Sequence, residues 1–154
     1  MTTALKGNTT EARVLGALVE RDFAVLIPFG EGHPYDLVIH VRGDRFVRIQ
    51  CKTARVNDRC MLFNSRSTDH GHGAGTYLGL ADAFGVYCPQ LERIYLVPVE
   101  DVPTSVVYLR LAATRNNQRR GIRFAADYEL DRWTEDALYG VAVGEKPSRR
   151  LSLA

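Results

Sequence analysis

The spacing of apolar residues predicts an amphipathic helix near the start of the chain. Over about Thr10 to Asp22, apolar residues recur at the period of an α-helix, namely Ala12, Leu15, Leu18 and Val19. Asn8 or Thr9 can cap the N-terminus of such a helix, and Glu11 then falls in its first turn. One face of this helix is therefore expected to pack against the rest of the protein.

Short apolar runs separated by turn residues predict several strands after this helix. Phe23–Pro28 is the first run, and a loop rich in Gly and Pro follows at 29–34. Tyr35–Val41 and Arg45–Lys52 flank Arg42-Gly43-Asp44, which indicates a hairpin. Further strands are predicted at 60–63, 84–88, 93–99 and 105–111, a polar loop at 64–76, and a partly helical segment at 125–138. This order is typical of an α/β fold with a mixed or antiparallel sheet, not of alternating βαβ units.

The faces of the predicted hairpin restrict how its two strands can pair. The apolar positions 37, 39 and 41 must share a face with 47, 49 and 51, because side chains alternate along a strand. Paired residue numbers must then sum to an even number, which predicts an odd-length loop or a bulge at the turn. A loop of three residues, 42–44, pairs Val41 with Arg45. This register places Asp36 opposite Gln50, with Lys52 on the same face. A carboxylate, an amide and an ammonium group are therefore expected side by side.

Composition indicates a single globular domain. The chain has 154 residues, of which 45% are hydrophobic and 25% charged, so we expect one domain over residues 1–143 and a flexible C-terminal tail over 144–154. No apolar run approaches the roughly 20 residues of a membrane helix, so no membrane association is expected. The three cysteines are an odd number without a secretory signal, which favours reduced thiols and a cytoplasmic location.

The net charge of +2 hides an uneven distribution of basic residues. Of the 20 basic residues, 17 are Arg and 3 are Lys, and five of the arginines lie in residues 110–123, which contain no acid. Arginine suits phosphate groups and base edges, although a heavy use of Arg also follows from genome composition.

The residues around the predicted hairpin resemble a known family. Pro34-Tyr35-Asp36, followed after 14 residues by Gln50-Cys51-Lys52 and preceded by Glu11 on the first helix, resembles the PD-(D/E)XK nucleases. The resemblance covers residues 7–53 well and continues more loosely beyond. The second acid of the motif is replaced by Gln50, and Tyr35 separates Pro34 from Asp36. This Gln-x-Lys variant is similar to a branch of group I intron homing endonucleases.

The resemblance implies a restriction-endonuclease-like core of order αβββαβ, with a mixed central sheet and flanking helices. It also implies a metal-dependent endodeoxyribonuclease, with Glu11, Asp36, Gln50 and Lys52 as catalytic residues. Mg²⁺, with Mn²⁺ as a substitute, would be held by Asp36, Glu11 and the backbone carbonyl of Cys51, because hard cations prefer oxygen ligands. Gln50 would offer a neutral oxygen, so one metal ion, or weaker metal binding, is expected. Lys52 would orient or help deprotonate the attacking water.

The implied partner is double-stranded or branched DNA. The DNA-binding residues predicted for it are the basic and amide residues Arg55, Arg59, Arg66, Arg115, Asn116, Asn117, Gln118, Arg119, Arg120 and Arg123. One active site per chain also implies a homodimer or homotetramer for cutting both strands.

Structural alternatives exist for each of these residues. Asp36 and Lys52 could form a surface salt bridge, Glu11 could serve the helix N-terminus, Gln50 could face solvent, and residues 110–123 could be a solvated loop. The side chain of Cys51 is expected in the core, and Tyr77 and Asp82 are assigned no role beyond packing and turn formation. His70 and His72 could bind a metal with His33 or His40, but glycine-flanked histidines are more typical of a plain loop.

The function also has alternatives. A Holliday-junction resolvase or a restriction-like nuclease would use the same motif. A protein of another class, a non-catalytic DNA-binding protein on a nuclease fold, would carry Gln50 as the trace of a lost acid.

Overall fold

The computed structural model describes the backbone of residues 1–69 and 73–145, and the side chains of 1–67 and 75–145. His70, His72 and all but the first two residues of the predicted tail lie outside this part. The helices are α1 (Thr3–Val19) and α2 (Glu135–Ala142), and 3₁₀ turns lie at Val99–Asp101, Ala125–Tyr128 and Leu130–Arg132. The strands are β1 (Ala24–Leu26), β2 (Leu37–His40), β3 (Phe46–Thr53), β4 (Arg55–Asn57), β5 (Cys60–Asn64), β6 (Ser67–Asp69), β7 (Gly73–Gly75), β8 (Ala83–Cys88), β9 (Arg93–Pro98) and β10 (Val106–Arg110).

Helix α1 begins seven residues earlier than the sequence predicts. Thr2 caps it by accepting a hydrogen bond from the N–H of Leu5 at 3.3 Å, so the predicted caps at Asn8 and Thr9 are wrong. The first two turns are exposed, and an exposed helical segment carries no apolar periodicity from which it could be predicted. The helix ends before Asp22, which adopts a left-handed conformation with φ 60°.

The main sheet has five strands in the order β1-β2-β3-β8-β9. The contact between β3 and β8 is parallel and the other three are antiparallel, so the sheet is mixed, as predicted. In the hairpin of β2 and β3, Leu37 pairs with Ile49 and Ile39 with Val47. Every pair sums to 86, the sum of the predicted pair Val41 and Arg45, so the predicted register is confirmed.

Two hydrophobic clusters cover the two faces of this sheet. On one face, Val14 and Leu18 of α1 pack against Leu37, Ile39 and other residues of β2 and β3. A Cβ atom at Gly85 would come within 2.8 Å of Val14, so the glycine permits the close approach of the helix. On the other face lies a second sheet, of order β10-β5-β4, whose strands are all antiparallel. Strand β8 is buried along its whole length between these layers.

The fold class is confirmed as α/β with a mixed central sheet, but the crossover from β3 to β8 differs from the expected αβββαβ order. Its described residues contain strands β4 to β7 and no helix. Met61 and Phe63 of β5 cover the sheet face that a crossover helix would cover, and Phe63 packs edge-on against Phe84.

Two further segments follow their predictions to different extents. The predicted loop at 64–76 contains the short strand pair β6 and β7, whose polar and glycine residues give no alternating pattern. The segment 125–138 is partly helical, as predicted. None of the described helices is long and apolar enough to cross a bilayer.

Candidate active site

Asp36 lies at the point where strand β2 begins, and it extends the sheet with its side chain. Its N–H donates to the carbonyl of Ile49 at 2.8 Å, one residue off the register that would set Asp36 opposite Gln50, so the regular ladder ends at this point. Its Oδ2 accepts hydrogen bonds from the N–H of Cys51 at 2.7 Å and from Nε2 of Gln50 at 2.8 Å. The carboxylate therefore occupies the place of a backbone carbonyl on the neighbouring strand. The predicted contact between Asp36 and Gln50 is present.

The carbonyl of Cys51 points towards the same position. The N–H and C=O of one strand residue point to the same side, so this carbonyl is directed towards Asp36, as its N–H is. Nε2 of Gln50 lies 3.4 Å from this oxygen and thus donates towards both Asp36 and Cys51. Because both neighbours are acceptors, the amide nitrogen of Gln50 faces Asp36, in contrast to the oxygen expected from the sequence. A half-turn of the amide would present Oε1 instead.

The side chain of Cys51 belongs to the core on the α1 side, as predicted. Burial, together with the charges of Asp36 and Glu11, raises the pKa of its thiol well above the ordinary value. The thiol is therefore protonated at neutral pH, and the backbone carbonyl is the atom of Cys51 that can serve the site.

Lys52 lies on the same face of β3 as Gln50, and its ammonium group is held by two oxygens. Nζ donates to the carbonyl of Arg66 at 3.1 Å and to the hydroxyl of Tyr77 at 3.3 Å. It also lies 4.7 Å from the centre of the Tyr77 ring. An ammonium group has three N–H donors, so one remains for another partner. Burial lowers the pKa of Lys52, and the charge of Asp36 partly opposes this shift.

Glu11 reaches the same region from the middle of α1. No acid lies in the first turn of the helix, so the expected place of Glu11 there is wrong, and with it the alternative of a capping role. Glu11 and Asp36 both line a pocket of about 270 Å³, together with residues of the loop 27–35. The neighbouring Thr10 is buried and shares a hydrogen bond of 2.6 Å with Thr53, which fixes α1 against the end of β3.

The two carboxyl groups share a partly buried environment that disfavours their charged forms. Burial raises the pKa of Asp36, although the N–H of Cys51 and the charge of Lys52 oppose the shift. Burial raises the pKa of Glu11 as well, and the charge of Asp36 adds to this. A cation between the two groups would relieve both effects.

The donor atoms suit a hard divalent cation. Among the described residues, no three side chains of His, Cys, Asp or Glu are grouped so that they could hold a metal ion. Two carboxylates and a backbone carbonyl are nevertheless a sufficient protein contribution for Mg²⁺, which commonly keeps several waters. The ligands predicted from the sequence, which are Asp36, Glu11 and the carbonyl of Cys51, therefore suit Mg²⁺. His33 lines the pocket of Glu11 and Asp36, but its Nε2 lies 2.8 Å from the carbonyl of Phe29. The Nε2 of His40 lies 2.8 Å from the carbonyl of Gly43 in the hairpin turn.

Tyr77 is the residue of this site that the sequence did not indicate. It is 8% exposed, packs edge-on against Phe84 and holds the ammonium group of Lys52. Only the fold brings it to Lys52, which lies 25 residues earlier in the chain. Asp82, also predicted only to pack and turn, forms an ion pair with Arg48 at 2.8 Å and accepts the backbone N–H of Arg48 at 2.7 Å.

The predicted DNA-binding residues are exposed and fall into two groups. Arg55, Arg59 and Arg66 lie on or beside the three-stranded sheet. The others lie in the loop that follows β10, which we call the basic loop (residues 111–123): Arg115, Asn116, Asn117, Gln118, Arg119, Arg120 and Arg123. The basic loop is closed at its base, where the N–H of Arg110 donates to the carbonyl of Arg123 at 2.8 Å.

The raised pKa of Asp36 predicts a pH-dependent effect of the variant Asp36→Asn on stability in EDTA. The folded state favours the protonated carboxyl. The stability that the protonated carboxyl adds to the folded state is fully present below the ordinary pKa of about 3.9. It is lost as pH rises through the raised pKa of the folded state. The amide introduced by the substitution does not titrate, so the variant should gain stability relative to wild type across this window, as measured by urea unfolding at several pH values.

Asp44→Asn is the matched control, because the side chain of Asp44 is 90% exposed in the hairpin turn. A wild type that gains stability over Asp36→Asn with rising pH would show that its surroundings favour the charged form of Asp36.

Comparisons with known proteins identify the fold and the family of the chain. A solved structure described as that of a bacterial homing endonuclease, I-Ssp6803I, superposes with a TM-score of 0.72 and 22% sequence identity, covering 95% of this chain and 100% of that one. No curated protein matches the chain. The sequence profile of the PD-(D/E)XK endonucleases matches residues 1–131. The family predicted from the sequence is thus confirmed, and the chain belongs to the PD-(D/E)XK endonuclease family.

Proposed function

We propose that this nuclease is a metal-dependent endonuclease that hydrolyses phosphodiester bonds of double-stranded DNA, with a homing-type enzyme as the leading version. The observation that carries the proposal is the convergence of Asp36, the carbonyl of Cys51 and Glu11, with Lys52 on the same face as Gln50. Hydrolysis of a phosphodiester needs charge neutralisation at the phosphate and a nucleophilic water. This site combines oxygen ligands for a cation with a positioned ammonium group.

Each residue contributes through chemistry that its environment supports. Asp36 and Glu11 supply anionic oxygens and Cys51 a neutral one, and a bound Mg²⁺ would supply Lewis acidity towards phosphate and water. Lys52 directs its remaining N–H towards the water or the scissile phosphate. Its lowered pKa makes it a better proton donor than an exposed lysine. Gln50 adds no charge, which favours a single metal ion over two.

The DNA-binding role proposed for the arginines follows from exposure and charge. The basic loop contains four arginines and no acid, and Arg55, Arg59 and Arg66 extend this charge along the three-stranded sheet. Because the described part of the chain holds one such site, we further propose that two or four copies assemble to cut both strands.

Cleavage of supercoiled plasmid DNA tests the proposed activity. Wild type should nick or linearise the plasmid with Mg²⁺ or Mn²⁺ and not with EDTA. Asp36→Ala and Lys52→Ala should each lower the rate by about 100-fold or more, since each removes a group that acts on the transition state. Asp44→Ala and Lys6→Ala are matched controls with exposed side chains and should retain the wild-type rate.

The same assay separates the other functions. A wild type that binds DNA but cuts it with neither Mg²⁺ nor Mn²⁺ would be a non-catalytic DNA-binding protein. Faster cleavage of a four-way junction than of a linear duplex would identify a junction resolvase instead of a homing or restriction-like enzyme.

Thermal unfolding with and without Mg²⁺ tests the metal site independently of cleavage. Binding to the folded state alone raises stability by about 2.7 kcal/mol at 100 times the dissociation constant. We therefore expect a higher Tm of wild type in millimolar Mg²⁺, and no such increase for Asp36→Ala. An equal increase in both proteins would place metal binding elsewhere.

Tyr77→Phe tests whether the hydroxyl of Tyr77 positions Lys52. The variant keeps the ring and its packing but loses the hydrogen bond to Nζ. We expect kcat to fall by about 10-fold with little change in KM, because DNA contacts remain while the ammonium group loses one of its two fixed partners. Tyr139→Phe, in α2, is the control and should leave kcat unchanged. A rise in KM alone would contradict a positioning role.

A further inference from the structure

The three-stranded sheet β10-β5-β4 has two different faces. On its inner face, Met61 and Phe63 of β5 and Val107 and Leu109 of β10 are buried in the core. Side chains alternate along each strand, so the remaining positions point away from the core. We call these positions the outer face.

The strand pairing arranges the outer face in three rows. Directly paired residues share a face, so each row runs across neighbouring strands. The rows are Val106 with Asn64, then Tyr108 with Leu62 and Arg55, then Arg110 with Cys60 and Asn57. Arginine, amide and aromatic side chains therefore lie together across all three strands.

The charge of this region is almost entirely positive. Residues 55–66 and 105–111 contain four arginines, Arg55, Arg59, Arg66 and Arg110, and a single acid, Asp58. Asp58 has φ 54° in the turn between β4 and β5, a conformation that Asp tolerates better than most residues. The geometry of the turn thus accounts for Asp58. Strands β4, β5 and β10 themselves contain no acid that could pair with Arg55 or Arg110.

The outer face is exposed where a ligand could touch it. Tyr108 is 58% exposed and Val106 42%, whereas Leu62 between Tyr108 and Arg55 is only 4% exposed. The side chain of Leu62, the large apolar residue at the centre of the outer face, is therefore already buried. At one end, a pocket of about 370 Å³ is lined by Asn64, Arg66, Ser105, Val106 and Tyr108.

The outer face also connects the candidate active site with the basic loop. At one end, the carbonyl of Arg66 accepts a hydrogen bond from Nζ of Lys52. At the other, Arg110 leads directly into the basic loop and Leu111 donates its N–H to the carbonyl of Arg59. The strand between these ends, Cys60–Asn64, spans about 13 Å.

We propose that the outer face of β4, β5 and β10 lies against the DNA duplex and holds it between the active site and the basic loop. This inference rests on the proposed function. Arg55 and Arg110 contact phosphates, while Asn57, Asn64 and Tyr108 reach sugars or base edges, since a major groove admits two neighbouring strands. A second copy of the chain packed face to face here would set arginines against arginines, whereas phosphates neutralise them.

The salt dependence of duplex binding in EDTA, which prevents cleavage, tests this surface. The double variant Arg55→Ala/Arg110→Ala should bind a mixed-sequence duplex about 10-fold or more weakly, and the slope of log K against log salt should become shallower by about two units. Tyr108→Ala should weaken binding several-fold without changing the slope, because an uncharged group releases no counterions. Arg45→Ala, an exposed arginine in the β2–β3 turn, is the matched control and should change neither quantity.

The outcomes distinguish this inference from the proposed function. If wild type cuts DNA but the double variant keeps its affinity and slope, the outer face is not part of the interface and the inference alone fails. If wild type neither binds nor cuts DNA, both fail. Sedimentation velocity on the same variants completes the test: dissociation of an assembly by Tyr108→Ala would make the outer face a contact between copies of the chain and overturn the inference.

Discussion

The hydrogen bond between the carboxylate of Asp36 and the N–H of Cys51 is the interaction on which this site depends. Strand β3 continues beyond the beginning of β2, so the N–H of Cys51 needs an acceptor that the backbone of β2 does not provide. Oδ2 of Asp36 supplies it at 2.7 Å. One contact thereby completes the hydrogen bonding of the sheet and fixes a carboxylate beside the carbonyl of Cys51. Structural and chemical roles coincide in one side chain.

Without a bound cation, the partly buried surroundings of this carboxylate lower the stability of the folded protein. Burial raises the pKa values of Asp36 and Glu11 and lowers that of Lys52, so each group is less favourable in its charged form than it would be in water. A divalent cation between the carboxylates and a phosphate near Lys52 would offset both costs. On the proposed function, the charges of the ligands would offset a cost that otherwise lowers the stability of the free protein.

The two layers that cover the main sheet, helix α1 and the three-stranded sheet, each contribute groups to the site. Helix α1 carries Glu11, and the hydrogen bond between Thr10 and Thr53 fixes its position relative to β3. The three-stranded sheet on the other face brings the carbonyl of Arg66 to Lys52. Between β3 and β8, the residues that the structure describes form strands where a helix was expected. These strands give the crossover an exposed, arginine-bearing face close to the site.

The sequence by itself determined the hairpin and the residues that meet on it. Strict alternation along two strands allows only an even sum of paired numbers, and a loop of three residues, 42–44, selects the sum that brings Asp36 to Gln50. The motif around Asp36 and Lys52 also sufficed to predict the family. Such information is local, because it depends on neighbours within about 15 residues and on the period of a strand.

Only the tertiary structure decided how the rest of the chain completes the site. The true start of α1 lies in exposed turns that leave no apolar pattern, so the place of Glu11 within the helix could not be predicted. Tyr77 and the carbonyl of Arg66 meet Lys52 because strands far apart in the chain pack face to face. A backbone carbonyl has no signature in the sequence, and an aromatic residue that positions a lysine has the same pattern as one that only fills the core.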